Sequence, residues 1–476
     1  MTAESRPANL ELSPSPHPAV VPHSRAATAK ARLLRGVGET LRALRHTPLG
    51  LLLLVIGLSF PVGPRVGAVT VTLADVAILL LAAQLGLQVA MRGRRLWVPL
   101  PWAWAVFLIG AFGSLAFSQD VAVSLVPFVE KVEMVLIFYL VCNLVRTKDQ
   151  LTALLLLFSA CSALNAAFGL AQFLGWTELG LHGMAFVGVS VRARAGAFVG
   201  GTLGAYFATA ITLLVAWLSL SWERFGWDVR AAGLGAAVLI CFGLVATLTR
   251  TWMFALLVAL IVVVLGTRWR VKLRLIVLGA LAIGILALAL RGGWFDLAGE
   301  GVTDFVQQRL LGLAEQNYFR NLETVRVEKW LEALRAWQAA PIFGAGMGTV
   351  RFANPFGEYG LVDNHYLETL AEMGLVGALG FAWIALGALI YNWRAIGWGL
   401  PRHRGSTLGL LGSHVLWLVG GLLWGLFDSG KPGMMYITLI AFAVISRRVY
   451  ARPLKTAGPA AGATLALDSG TQGKEA

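Results

Sequence analysis

Charged residues are scarce in this chain: they make up 13% of its 476 residues, whereas hydrophobic residues make up 57%. About 25% of the residues of a soluble domain are charged, so the composition excludes an ordinary soluble domain. The apolar residues also occur in long blocks, and residues 151–174, 203–220 and 275–290 contain no formal charge. About 20 helical residues cross a hydrocarbon core of about 30 Å, so such blocks predict membrane-spanning helices.

Cysteine is almost absent, and the three present, Cys142, Cys161 and Cys241, lie in apolar blocks. Their spacing fits neither a disulfide framework nor a zinc site, so we interpret them as small buried hydrophobes. The sequence offers no nucleotide-binding P-loop, metalloprotease or serine-hydrolase motif in a convincing context. No cleavable signal peptide is predicted, because the first 46 residues are too long, too polar and too rich in proline.

The basic residues predict the topology. The net charge of +14 comes from short clusters between apolar blocks, a distribution that disfavours nucleic-acid binding and is typical of topology signals. The strongest clusters lie in alternate loops: Arg92/Arg94/Arg95, Arg146/Lys148, Arg224/Arg230, Arg268/Arg270/Lys272/Arg274, Arg394/Arg402/Arg404 and Arg447/Arg448/Arg452. The positive-inside rule places these loops and both termini in the cytosol.

We therefore predict an all-α integral membrane protein with about 12 transmembrane helices and one large extracytoplasmic helical loop. The predicted spans are 48–61, 67–90, 97–117, 124–145, 151–174, 199–220, 231–248, 251–267, 273–290, 364–391, 408–427 and 433–450. The predicted organisation is a disordered cytosolic tail with an interfacial amphipathic helix (1–46), helices 1–9 (47–290), the outer loop (291–363), helices 10–12 (364–450) and a disordered cytosolic tail (451–476).

Arg250 is the one charge in residues 231–267. As a single helix this segment would be about 55 Å long, which is more than a bilayer requires. Basic clusters flank it on both sides, so we predict two short spans with Arg250 at the outer turn. A lone arginine is costly in hydrocarbon, so it must lie at an aqueous opening or meet an anion.

His365 is the histidine best placed for chemistry. It begins the tenth predicted span, within residues 362–368 (VDNHYLE), at the outer surface. We expect a half-exposed histidine there, which suits a general base. The alternative is an interfacial histidine at a helix start that Asp363 or Asn364 caps.

Several arginines are predicted at the same outer face. Arg192 and Arg194 precede the sixth span, and Arg326 lies on an amphipathic helix predicted over residues 318–339 of the outer loop. With Arg250 they suit a diphosphate, because guanidinium groups match phosphate oxygens; the alternative is contact with lipid head groups. The glycine-rich residues 344–348 (GAGMG) are interpreted as a turn.

Other outer charges allow two interpretations. Glu130 and Glu133 flank Lys131 in the fourth span, and Asp75 and Lys431 lie at the outer ends of their spans. Mutual pairing is one interpretation, and a proton or ion pathway is the other.

Residues 364–377 (NHYLETLAEMGLVG) resemble the signature of the O-antigen ligase and polymerase superfamily, an H/N dipeptide followed by E-x-G-[LI]-x-G. Residues 341–346 (PIFGAG) resemble its P-[LI]-x-G-x-G. Residues 248–250 (LTR) resemble its S-R helix start with threonine for serine. Residues 194–198 (RAGAF) resemble its R-x-x-G-x-F, with one residue fewer between the arginine and the glycine. The sequence departs from the pattern at 199–202 (VGGT), where the family often has asparagine.

The resemblance implies a membrane glycosyltransferase of lipopolysaccharide biosynthesis at the outer, periplasmic face of the cytoplasmic (inner) membrane. The donor would be a glycan on polyprenyl (undecaprenyl) diphosphate. The acceptor would be lipid A–core, another glycan or a protein, and neither metal nor cofactor would be needed. His365 would be the base, and Arg250, Arg192 or Arg194, and Arg326 would bind the diphosphate. The supporting residues would be Asn364, Asp363 and Glu368.

The leading hypothesis is a ligase that transfers the glycan to an acceptor. A polymerase of the same superfamily, which would extend the glycan on its carrier, is the alternative. A polysaccharide or lipid transporter is the alternative from another class, but it predicts charges near the bilayer midplane, whereas these charges gather at the outer ends of the spans.

Overall fold

The structure is a computed structural model. It describes residues 42–66, 69–174, 176, 183–187, 190–194, 202–221, 227–293, 316–350, 352–353, 359–360, 362–398, 403–425 and 430–450. The predicted disordered tails and most of the predicted interfacial helix lie outside these residues.

The structure defines both ends of thirteen helices. They are α1 (Leu49–Ser59), α2 (Leu73–Arg92), α3 (Pro101–Ala116), α4 (Val121–Leu144), α5 (Lys148–Phe173), α6 (Leu203–Ser221), α7 (Trp227–Ala246), α8 (Arg250–Leu265), α9 (Trp269–Arg291), α10 (Gln316–Ala339), α11 (His365–Trp398), α12 (Arg404–Gly420) and α13 (Lys431–Tyr450). Each of the twelve predicted spans overlaps one of these helices, and α10 is the amphipathic helix predicted before Pro341.

Six of these helices, α2, α5, α6, α7, α11 and α13, are long and apolar enough to cross a membrane. The fold is therefore helical with several candidate membrane spans, as the apolar blocks predict. The number of crossings and the position of the outer loop relative to the bilayer remain predictions.

Three short antiparallel hairpins accompany the helices and were not predicted. They are β1 (Arg65–Val66) with β2 (Val69–Thr70), β3 (Gly183–Val187) with β4 (Ser190–Arg194), and β5 (Phe352–Ala353) with β6 (Tyr359–Gly360). Strands of two to five residues carry too little alternation to be recognised in a sequence. The second hairpin contains Arg192 and Arg194, which pair in register with Ala185 and Gly183.

The turn between α7 and α8 confirms that residues 231–267 form two helices. Helix α7 ends at Ala246 and α8 begins at Arg250, with Leu248 between them at φ 54°. The Thr247 hydroxyl donates to the Leu244 carbonyl at 2.7 Å, which accommodates one carbonyl freed at the end of α7.

Helix α11 is broken near its beginning. It spans 34 residues, and Gly374 has φ 63° and ψ −167°, which are not helical values. The break separates a short helix, residues 365–373, from a long one, residues 375–398. A backbone with positive φ favours glycine, since a side chain there is strained. The long half packs against α3, where Gly110 lies against Gly377 and allows the two backbones to approach closely.

Candidate active site

The glycine-rich turn of residues 341–348 completes the broken helix. The freed amide of Leu375 donates to the Pro341 carbonyl at 2.9 Å, and that of Val376 donates to the Ile342 carbonyl at 3.2 Å. Backbone groups in a membrane protein must find partners within the protein, because lipid offers none. The turn therefore caps the start of the long half of α11.

The same turn also accommodates the end of the short half. The amide of Ala345 donates to the Ala371 carbonyl at 2.9 Å, and that of Gly346 donates to the Glu372 carbonyl at 3.3 Å. Gly344 has φ 76°, and a side chain there would overlap the Glu372 carbonyl. The sequence predicts the turn, but not that it joins the two halves of α11.

Glu372 connects three parts of the site. Its Oε1 accepts the amide of Gly348 at 2.8 Å, and its carbonyl accepts the Ser114 hydroxyl of α3 at 2.6 Å. The residue belongs to the E-x-G motif, yet sequence reasoning gave it no role. Its contacts hold the turn, the break and α3 together, so Glu372 positions the short helix that carries His365.

We expect Glu372→Ala to lower the free energy of unfolding by about 1–3 kcal/mol, because it leaves the buried Gly348 amide without this acceptor. Glu372→Gln keeps an oxygen in the same place and serves as the matched control, with a smaller loss. Thermal unfolding of the purified protein in detergent measures both. An equal loss in the two variants would show that the charge, rather than the acceptor, matters.

His365 is buried, with 1% of its surface exposed, so the expectation of a half-exposed side chain was wrong. Its amide donates to the Gly421 carbonyl at the end of α12, at 2.8 Å. Its ring meets the Phe381 ring edge-on, with 4.9 Å between centroids. Partners from α12 and from the long half of α11 thus surround a residue whose place at a helix start predicts exposure.

Two polar side chains of the short helix lie beside the imidazole. Glu368 Oε2 is 3.6 Å from His365 Nδ1, and Thr369 Oγ1 is 3.4 Å from Nε2. Glu368 and Thr369 are themselves buried. A carboxylate in this position can orient a histidine base and stabilise the imidazolium that forms when it accepts a proton.

Asn364 caps the short helix. Its Oδ1 accepts the amides of Tyr366 and Leu367, both at 3.1 Å. Asp363 has a different place: it has φ 54° and pairs with Lys329 of α10 at 3.2 Å. Of the two caps that the sequence allows, the structure therefore shows Asn364, while Asp363 ties α10 to the site.

Helix α10 covers this end of α11. Ala333 is buried in a small apolar cluster with Ala371, and Trp330 and Leu367 pack against that cluster. Arg326 lies one turn before Trp330, on the same side of α10, and is half-buried. The structure thus places Arg326 on the helix that packs over the His365 segment.

Arg250 and His365 lie at the same end of the helix bundle. Gly421 accepts the His365 amide, and the preceding Gly420 lies against the ring of Trp252, two residues after Arg250. Arg250 is half-buried at the first position of α8. The end of α12 therefore bridges the two residues that the sequence singles out most clearly.

The remaining predicted arginines, Arg192 and Arg194, lie in β4, a strand that packs against α5. The choice between them remains open, since the structure describes only the backbone of this strand. Among the outer charges, Lys431 at the start of α13 forms an ion pair with Asp75 at the start of α2. This contact supports mutual pairing for these two residues.

The apolar helices, the broken helix and its buried polar end define an integral membrane protein with a candidate site at one end of its bundle. Residues 235–382 match a family model described as O-antigen ligase. The match includes Arg250, Arg326, the glycine turn and His365, and it supports the O-antigen ligase superfamily that the motifs predict. No curated protein matches the chain. The family implies a ligase or polymerase with glycan and lipid-linked substrates.

Proposed function

We propose that the protein is a glycosyltransferase of the O-antigen ligase type. It transfers a glycan from undecaprenyl diphosphate to an acceptor hydroxyl at the outer face of the inner membrane. The observation that carries this proposal is the family match over residues 235–382, which contains both Arg250 and His365. The end of α12 supports it, because it brings these two residues to one end of the bundle.

In the proposed reaction His365 accepts the proton of the acceptor hydroxyl. The hydroxyl oxygen attacks the anomeric carbon of the donor sugar, and the bond from that carbon to the diphosphate oxygen breaks. The products are the glycosylated acceptor and undecaprenyl diphosphate, which leaves with the bonding electrons. Glu368 is close enough to stabilise the imidazolium after proton transfer.

Arg250 suits the departing diphosphate for a reason beyond its charge. A cation at the first position of a helix opposes the helix dipole, so Arg250 does not stabilise α8 through that position. An anion placed there meets both the guanidinium and the positive end of the helix. Arg326 and one of Arg192 and Arg194 are the further proposed diphosphate ligands.

The burial of His365 favours transfer over hydrolysis. A base in a water-excluded site has little opportunity to activate water, which would release the glycan unproductively. With 1% of its surface exposed, His365 becomes accessible to an acceptor hydroxyl only after a local rearrangement. The proposal therefore includes an opening of this site when donor and acceptor bind.

Reconstitution tests the proposal. The purified protein in liposomes is supplied with a defined glycan on undecaprenyl diphosphate and, in separate reactions, with lipid A–core, a glycan or a peptide acceptor. A ligase yields glycosylated acceptor and free undecaprenyl diphosphate, both measurable by mass spectrometry. Longer glycans on the carrier would instead show a polymerase, and movement of intact donor across the bilayer would show a transporter.

A further inference from the structure

Guanidinium groups from three separate segments converge at the opposite end of the bundle. Arg94 follows α2, Arg146 follows α4, and Arg448 lies in the last turn of α13. Arg94 Nη1 and Arg146 Nη2 both donate to the same amide oxygen, Gln88 Oε1, each at 2.5 Å. We refer to Gln88 and these three arginines as the arginine cluster.

A buried asparagine builds the support for this cluster. Asn143 is 2% exposed, and its side-chain amide bonds both backbone groups of Trp97, to the amide at 2.8 Å and to the carbonyl at 2.9 Å. The backbone carbonyl of Asn143 accepts a hydrogen bond from Arg94 Nη2. The guanidinium of Arg448 lies over the Trp97 ring, 5.3 Å from its centroid. The arginines are therefore held by the fold.

Among the described residues, no carboxylate forms an ion pair with Arg94, Arg146 or Arg448. Partial burial, and then the charges of Arg146 and Arg448, lower the pKa of Arg94 below its ordinary value. Like charges that are held together by neutral acceptors alone are unfavourable unless an anion joins them. The charge of the cluster therefore favours the binding of a negative group.

We propose that the arginine cluster binds the phosphate of an anionic membrane lipid. Guanidinium groups match phosphate oxygens in geometry and charge. The cluster lies between the ends of α2, α4 and α13, on the face that the positive-inside rule assigns to the cytosol, where lipid phosphates lie at this depth. Trp97 adds an aromatic ring of the kind found at membrane interfaces.

The test uses the full-length protein in mild detergent. Its thermal unfolding and native mass spectra are recorded with phosphatidylglycerol, with phosphatidylcholine and with inorganic phosphate. We expect phosphatidylglycerol to bind and stabilise, and the other two to have little effect. Equal stabilisation by phosphatidylcholine would overturn the proposal, because it would reflect acyl-chain contact alone. Equal binding of inorganic phosphate would overturn the assignment to a lipid.

Matched variants separate a built site from general charge. Arg146→Gln with Arg448→Gln removes two charges from the cluster and should weaken phosphatidylglycerol binding about 30-fold. Arg92→Gln with Arg95→Gln removes two exposed charges near Arg94 and should change it little. Equal weakening by both pairs would overturn the proposal.

Gln88→Glu provides a second test that does not depend on loss of folding. It places a carboxylate between the guanidinium groups of Arg94 and Arg146. In lipid-free detergent, we expect the Gln88→Glu variant to unfold at a higher temperature than the unaltered protein does. Phosphatidylglycerol should raise the unfolding temperature of the variant by less. If Gln88→Glu changes neither the unfolding temperature nor the stabilisation by phosphatidylglycerol, the result would contradict the proposal that the cluster binds an anion.

Discussion

His365→Ala is expected to lower the rate of glycan transfer by about 10²–10⁴-fold, the usual contribution of a general base. The position of the residue adds to its chemistry, because the imidazole is buried and lies beside Glu368. The measurement is the initial rate of acceptor glycosylation in liposomes at saturating donor. Binding of the donor should be nearly unchanged, because the histidine acts on the acceptor hydroxyl.

His403→Ala is the matched control for this prediction. His403 adjoins the other end of α12, whose 17 residues separate it from Gly421 by about 25 Å. It should leave transfer near the level of the unaltered protein, while thermal unfolding verifies that both variants fold. Full activity in folded His365→Ala would exclude the residue as the base.

Arg250→Ala is expected to lower kcat/KM for the diphosphate-linked donor by about 10²–10³-fold, the usual cost of removing one group that stabilises a developing negative charge. The loss should appear mainly in kcat if Arg250 contacts the diphosphate as it departs. Arg250→Lys keeps the charge without the planar guanidinium, so it should recover part of the activity. Steady-state rates over a range of donor concentrations measure both effects.

Arg291→Ala controls for charge at this end of the bundle. Arg291 is exposed at the end of α9, and the predicted topology assigns it to the same end of the bundle as Arg250. Its loss should leave kcat/KM nearly unchanged. A similar decrease in both variants would mean that the arginines attract an anionic donor collectively, and would contradict a specific role for Arg250.

The sequence predicts the helices well, because the property that decides them is local. An apolar block of about 20 residues is visible without knowledge of its neighbours. Arg250 could be placed at a turn for the same reason: a single charge divides a segment too long for one crossing. Its position at the first residue of α8 follows that prediction closely.

The break in α11 and the burial of His365 could not be predicted in this way. Gly374 follows a helical pattern, and its positive φ depends on hydrogen bonds to Pro341 and Ile342, more than thirty residues earlier. The burial of His365 depends on Phe381 and on the end of α12. Contacts between distant segments decide both features, so no local pattern contains them.

The bonds across the broken helix also define a unit of exchange between related enzymes. Pro341, Ile342, Ala345 and Gly346 satisfy backbone groups on both sides of Gly374. A chimera joined between residues 349 and 363 would combine a turn from one parent with a broken helix from the other. With one junction before Pro341 and a second after Gly377, the backbone amides and carbonyls that bond across the break come from the same parent. Residues 341–377 are therefore the smallest segment that keeps both sides of the break, with His365 between them, from one parent.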